Sequence, residues 1–475
     1  MSGIFGVVSR HDCLEDLFYG TDYLSHLGTE YGGLVVFGEK IVRKIHTLRQ
    51  SQFKSKFYDD YNAMHGNMGL GVISSNEVQP ICLDSKFGPF CICATGLIQN
   101  AEELVDELSN QGVSFSEISE KGVNSVELIA KLIAEGKCIT DGINHMFSKI
   151  RGSCSLLLLS KEGIYAARDK FGYSPLVIGQ KGDSWAATSE TTAFFNIGFK
   201  IKKYLSPGEV VLLTPSGMSQ KYKGTNIGQI NAFLWIYTGF PTSSYEGINV
   251  EVVRERCGRY LAKNDDVRAD MVAGVPDSGT THAIGYSLES GIPFRRPLIK
   301  YTPGWDRSYT PPSQETRELI ARMKLIPVKE IIEGQRIILC DDSIVRGTQL
   351  RNIIQKLWDN GAKEIHLRIA CPPLLFPSVF DYSTRTREEL AARRAIKAIA
   401  GKDVEDVSEY IDPDSEKYRK MVDYIAKELG VTSLKYQRLD DMVKAIGLPR
   451  ERLNLYMWTG ESIASPKNDA TKRKA

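Results

Sequence analysis

Twelve residues constrain this chain more than any other stretch. They read Ile337-Ile338-Leu339-Cys340-Asp341-Asp342-Ser343-Ile344-Val345-Arg346-Gly347-Thr348. An apolar strand ends in two carboxylates, and a short loop then runs into a helix. Such a run belongs in an open α/β sheet, where ligands bind beyond the carboxyl ends of the strands. A loop entering a helix N-terminus presents backbone N–H groups and the positive end of the helix dipole, which suit a phosphate. Gly347 lets the backbone approach closely, and the Thr348 hydroxyl can donate to a phosphate oxygen. Asp341 and Asp342 can accept from adjacent sugar hydroxyls, and they suit a hard Mg²⁺ ion.

Two further segments fit this chemistry. Val275-Pro276-Asp277-Ser278-Gly279-Thr280-Thr281 lies between a strand and a helix. Small, polar and glycine-containing, it suits a diphosphate and its Mg²⁺, although alone it reads equally well as an ordinary turn and N-cap. The run 300–317, KYTPGWDRSYTPPSQETR, has three prolines and a glycine and is not expected to be regular. Its Lys300, Arg307 and Arg317 can clamp an anion when the loop closes and excludes water, and Lys324 adds a cation just beyond. The competing reading is an exposed linker.

The surroundings of these loops alternate. Segments 270–275, 336–340 and 364–370 read as strands, and 249–264, 280–290 and 348–360 as helices, which points to a parallel sheet. Residues 385–444 read as charged and helical. The first 228 residues differ. Short apolar strands at 4–8, 33–37, 69–74, 90–95, 153–159, 163–167 and 209–213 mix with helices at 14–25, 101–111 and 125–134. Asn100 is the expected N-cap of the second helix, with Glu102 and Glu103 in its first turn. This mixture predicts an α+β sandwich. The expected division is therefore 1–228, 229–461 and a disordered polar tail at 462–475.

Composition narrows the function classes. The chain has 475 residues, 60 Lys+Arg and 58 Asp+Glu, a formal net charge of +2. That balance argues against bulk binding to nucleic acid or an anionic membrane. No apolar run approaches a membrane span, and the first ten residues do not read as a signal peptide, so a cytoplasmic protein is expected. Nine cysteines are scattered without zinc or iron–sulfur spacing, and a disulfide framework is not expected. Most read as small buried apolar residues.

Together, and in this order, the three loops resemble the phosphoribosyltransferase half of the amidophosphoribosyltransferase family (glutamine phosphoribosyldiphosphate amidotransferase), whose members open purine biosynthesis. DDSIVRGT matches the family's phosphoribosyldiphosphate signature and VPDSG its diphosphate loop. The amino half is similar to the family's glutaminase at Ser2-Gly3-Ile4-Phe5-Gly6, Asp169-Lys170-Phe171-Gly172 and Ser189-Glu190-Thr191. The resemblance implies an N-terminal-nucleophile-type αββα sandwich, followed by a type I phosphoribosyltransferase domain with a helical C-terminal segment. It implies Asp341, Asp342, Lys300 and Arg307 as catalytic residues. Pro276, Asp277, Gly279, Thr280, Lys324, Ser343, Ile344, Val345, Arg346, Gly347 and Thr348 are the implied substrate-binding residues, and Ser278, Asp341 and Asp342 the metal ligands for Mg²⁺. It also implies phosphoribosyldiphosphate with ammonia or another amine as substrates, purine nucleotides as regulators, and a homo-oligomer, dimer or tetramer.

The chain departs from the family in its amino half. Ser2 stands where the family has its nucleophilic cysteine. The family's H-R-G-Q-E reads His26-Leu27-Gly28-Thr29-Glu30. Its G-H-V-R-Y reads Gly71-Val72-Ile73-Ser74-Ser75, its H-N-G reads Ala94-Thr95-Gly96, and its S-D-T-E reads Asn124-Ser125-Val126-Glu127. The residues lost would hold the glutamine carboxylate, its amine and the oxyanion, each worth about 2–4 kcal/mol. An inactive glutaminase is expected. Asn231, Ser378, Asn454 and Met457 stand at the four cluster-cysteine positions, so no iron–sulfur cluster is expected. The expected function is ammonia-dependent formation of phosphoribosylamine. Three other readings stay open: a different amine acceptor, a non-catalytic paralogue that binds phosphoribosyldiphosphate or nucleotide and partners an active enzyme, and a residual amidase using Ser2.

Overall fold

The computed structural model describes all residues except 1, 50, 120–121, 302–324, 381–383, 385 and 464–475. Arg307, Arg317 and Lys324, and most of the expected polar tail, lie outside the described residues. Ser462 does not belong to a tail, because it is buried and its hydroxyl reaches Gln229 and Asn454.

The amino half stacks two antiparallel sheets between helices. Gly3–Val8 lies inside a seven-stranded sheet, between Ser184–Thr188 and Met68–Ser74. Gly152–Ser160 lies inside a six-stranded sheet, between Gly163–Ala167 and Phe90–Ile98. Adjacent residues on these strands face different cores. Ile4 and Leu157 pack between the sheets, Phe5 against the helices on one side, and Leu156 against those on the other. With both faces covered, the strands are continuous apolar runs rather than alternating ones.

The second half holds a four-stranded parallel sheet in the order Met271–Gly274, Arg336–Asp341, Glu364–Ile369, Ser433–Tyr436. The fourth strand corrects the reading of 385–444 as purely helical. Its SLKY is too short and too charged to signal a strand, and pairing with 366–369 makes it one. The helices Val250–Lys263, Thr280–Ser290, Thr348–Asp359 and Glu416–Leu429 share a single core with this sheet.

Three local expectations need correction. The Asn100 side chain does not cap the helix Ala101–Asn110. It donates instead to the Lys149 carbonyl and accepts from the Arg151 N–H, tying down the neighbouring loop. Short strands such as Ile41–Thr47 and Lys200–Tyr204 were not signalled, because they are edge strands and largely polar. Finally, one disulfide forms, between Cys82 and Cys91. The two face each other across adjacent antiparallel strands, a register that their spacing does not reveal.

Candidate active site and the pocket at Ser2

Asp341 closes the strand Arg336–Asp341, and Asp342 is the next residue. Both are more than nine-tenths buried. The Ser278 hydroxyl donates to Asp341 Oδ1 at 3.1 Å, the Asp342 N–H to the same oxygen at 2.9 Å, and the Ser343 hydroxyl to Asp342 Oδ2 at 2.5 Å. Burial pushes both carboxyls above the ordinary carboxylate range, and the charge of Asp342 adds to the effect on Asp341. The nearby Arg254 guanidinium opposes that rise at Asp342. Arg254 is itself buried and donates to the carbonyls of Trp235, Tyr237 and Gly239. Sequence reading missed it, since a lone arginine within a helix carries no motif.

The loop after the pair is anchored by carbonyls and apolar contact. Ile344 is buried, Ala391 N–H donates to the Val345 carbonyl, and Arg351 N–H to the Gly347 carbonyl. Gly347 sits at φ 79°, a conformation that disfavours a side chain. None of the N–H groups of 343–348 donates to a protein acceptor among the described residues. Six successive amides at a helix N-terminus form a cradle for an anion. Arg346 itself turns outward to Glu389, at 2.8 Å.

The second loop lies against the first. Val275 N–H donates to the Cys340 carbonyl at 2.9 Å, and a Cβ on Gly279 would stand 2.2 Å from that same oxygen. Only glycine permits this approach. Gly279 and Thr280 spend their N–H groups on the loop's own turns, to Val275 and Asp277, and Pro276 has none. Among the described residues this leaves the amides of Asp277 and Ser278 to face a ligand. Lys300 ends the strand Leu298–Lys300 and donates to Asp277 Oδ2 at 2.6 Å. The structure thus brings together Lys300, 276–280 and 341–348.

A separate pocket surrounds Ser2, lined by Asn76, Glu77, Gln79, Thr95, Ser125 and Ser153 above an apolar floor that includes Ile98 and Ile129. The Ser2 N–H donates to the Thr95 hydroxyl and its own hydroxyl reaches Ser74 Oγ at 3.3 Å. Ser74 Oγ also accepts from the N–H groups of Asn76 and Glu77. Ser74, Thr95 and Ser125, singled out as replacements, therefore do gather around Ser2. Glu77 is the residue sequence reading missed. Its carboxylate accepts from the Ser125 hydroxyl at 3.0 Å, at the N-terminus of the helix Ser125–Ala134, where the dipole favours it. No lysine or arginine lines this pocket among the described residues.

Comparison with known proteins follows this geometry. Residues 67–196 match the glutamine amidotransferase domain model. An amidophosphoribosyltransferase of Methanocaldococcus jannaschii is 32% identical, over 97% of both chains. The chain belongs to the amidophosphoribosyltransferase family. A relative of the same name from Pyrococcus horikoshii is 34% identical over 88% of this chain and 90% of that protein. Among solved structures, the amidotransferase of Bacillus subtilis complexed with ADP and GMP superposes with a TM-score of 0.83. It is 30% identical and covers 97% of this chain and 96% of that one. The fold is that of this family, a glutamine-amidotransferase sandwich followed by a phosphoribosyltransferase.

Two of the residues expected at the family's cluster positions lie side by side. Asn231 and Asn454 are register partners on adjacent parallel strands. The Met457 carbonyl accepts from Leu375 and Phe376, just before Ser378. No helix among the described residues is long and apolar enough to cross a membrane.

Proposed function

We propose that residues 229–461 transfer the phosphoribosyl group of phosphoribosyldiphosphate to ammonia, giving phosphoribosylamine and diphosphate, and that residues 1–228 no longer hydrolyse glutamine. The observation that carries this reading is the cradle of six amides at 343–348, which meet no protein acceptor among the described residues, set beside two buried carboxylates. The cradle takes the 5-phosphate. Asp341 and Asp342 accept from the ribose hydroxyls, and their charge stabilises the positive charge that grows on the anomeric carbon. The amides of Asp277 and Ser278 hold the diphosphate. Lys300 leaves Asp277 and neutralises the departing diphosphate, joined by Arg307 and Lys324.

Asp341, Asp342 and Ser278 supply the hard oxygen donors that Mg²⁺ prefers. The described residues contain no group of three or more His, Cys, Asp or Glu able to hold a metal. Held by Asp341, Asp342 and Ser278, Mg²⁺ would supply charge neutralisation of the leaving group. Purine nucleotides are the proposed regulators, since the Bacillus subtilis relative is described in complex with ADP and GMP. A cytoplasmic homo-oligomer is the proposed working state.

The loss of glutamine hydrolysis rests on the Ser2 pocket. Among the described residues no lysine or arginine side chain lines it to hold an amino-acid carboxylate, and a hydroxyl stands where the family has a thiol. A thiol is the better nucleophile at neutral pH. Diphosphate release from phosphoribosyldiphosphate, Mg²⁺ and ammonium tests the transferase. Release that depends on ammonium supports it. Tight binding with no release under any amine leaves a binding protein instead.

A further inference from the structure

One covalent link in the amino half belongs to neither site. Cys82 and Cys91 are joined across the strands Ile81–Leu83 and Phe90–Ile98, while the other seven cysteines are free and six of those are buried. A chain with so many free thiols is not a disulfide scaffold, and an isolated pair in such a chain is of the redox-responsive kind. The two residues differ in access. Cys82 is exposed on the edge strand of the six-stranded sheet, whereas Cys91 is fully buried between the two sheets. A disulfide with one exposed partner on a sheet edge is open to thiolate attack, and exposed bonds are the labile ones. Cys93 shares the strand and the core of Cys91, but burial pushes its thiol up, so it stays protonated and inert.

The link also sits beside the Ser2 pocket. The strand Ile81–Leu83 follows directly on the segment that carries Asn76, Glu77 and Gln79, and the strand Phe90–Ile98 carries Thr95 and Gly96, all of which line that pocket. The two walls are not equally secure. Phe90–Ile98 is held on one side by Gly152–Ser160 over eight register pairs. Ile81–Leu83 has three register pairs, all with Phe90–Ile98, and no strand on its outer side among the described residues. Beyond these, Gln79 Oε1 accepts from the Ala94 N–H at 2.8 Å. The disulfide therefore fastens a weakly held wall of the pocket to a firmly held one.

We propose that Cys82–Cys91 is a thiol–disulfide exchange site, and that its redox state closes and opens this wall of the Ser2 pocket. The reductant is a dithiol. Its first thiolate attacks Cys82 Sγ, the bond between the two cysteines breaks, and Cys91 leaves as a thiolate that takes up a proton. The second thiolate then attacks the reductant's own sulfur in the mixed disulfide, and Cys82 leaves as the second thiol. Two electrons pass from the dithiol, which becomes a disulfide, to the protein pair, which becomes two thiols. A reducing compartment, such as the proposed cytoplasm, holds the wall released. A low-molecular-weight disulfide closes it by the reverse steps.

The native full chain, treated with dithiothreitol or left untreated, is alkylated with iodoacetamide and mapped by peptide mass spectrometry, with amide hydrogen exchange on the same samples. Untreated chain should be labelled at the exposed Cys138 alone. After reduction, Cys82 and the uncovered Cys91 should join it, while the buried Cys93 and Cys154 stay unlabelled. Amides of 76–83 should then exchange about tenfold faster or more, with those of Arg336–Asp341 unchanged. Oxidised glutathione should restore both patterns. Cys82→Ser should show the fast exchange without reductant, and if it does not fold, the wild-type measurement decides. A pair that resists dithiothreitol in the native chain and yields only in denaturant is a structural staple, which overturns the proposal. Reduction that leaves Cys91 unlabelled and 76–83 slow overturns the control of the pocket wall. Diphosphate release is no part of the readout, so failure of the proposed transferase leaves the result untouched.

Discussion

Asp341 and Asp342 lie side by side and almost fully buried at the end of a parallel strand. The pocket at Ser2 is equally well formed, yet it is walled by hydroxyls, amides and one carboxylate that caps a helix. The first region keeps two like charges where burial and mutual repulsion both oppose them. Packing alone would not retain such an arrangement, because two amides would be cheaper. The second region shows no lysine or arginine on its walls among the described residues. The contrast separates a shared fold from the charge pattern of a site. Both halves match the family in architecture, and the buried carboxylate pair lies in the second.

The sharpest way to break this comparison is at the acidic pair. Asp341→Asn with Asp342→Asn should lower ammonium-dependent diphosphate release about 10³-fold or more, as expected when charge stabilisation of a cationic transition state is removed. Near-wild-type release would show that the carboxylates are structural. On the other side, glutamine use should be recoverable only in combination. Ser2→Cys alone should leave glutamate release at background. Ser2→Cys with Ser74→Arg, Thr95→Asn and Ser125→Asp should raise it about 10²-fold, the return of several contacts worth about 2–4 kcal/mol each. Glutamate release by the wild-type chain would mean the pocket had been misjudged.

Two smaller effects sharpen the same contrast. Gly279→Ala places a methyl group 2.2 Å from the Cys340 carbonyl. It should cost about 1–3 kcal/mol of stability as an overpacked site, and raise the KM for phosphoribosyldiphosphate. Thermal melting and steady-state kinetics check the two parts. Asp341→Asn should change stability in a pH-dependent way. The folded state holds the Asp341 proton above the ordinary carboxylate range, whereas the unfolded chain releases it within that range. Wild-type stability therefore falls as pH rises from the ordinary range toward the raised folded value. The asparagine variant escapes that fall, so its melting temperature should match wild type near pH 4 and exceed it by about 2–4 °C near pH 8. An equal difference at both values would assign the effect to packing.

Sequence reading reached the second half further than the first for a physical reason. The window 337–348 encodes strand, loop and helix in consecutive residues, so that stretch is legible locally, and the structure sets the Ser278 hydroxyl on Asp341 and Lys300 on Asp277 of the adjoining loop. Arg254 escaped notice because its task, gripping three carbonyls, depends on tertiary placement. The Ser2 pocket is assembled from residues up to 152 positions apart in the chain, from Ser2 to Cys154. Comparison with the family located Ser74, Thr95 and Ser125, but nothing along the chain signals that Glu77 turns toward Ser125. The strand Ser433–Tyr436 and the Cys82–Cys91 pair were hidden likewise, since pairing across the sheet defines both.

The most direct measurement compares amine donors in one preparation. The full chain is supplied with phosphoribosyldiphosphate and Mg²⁺, and diphosphate release is followed with ammonium, with glutamine and with neither. The account predicts release that saturates with ammonium and stays at background with glutamine, with no glutamate formed. Release with glutamine equal to that with ammonium, accompanied by glutamate, would contradict it.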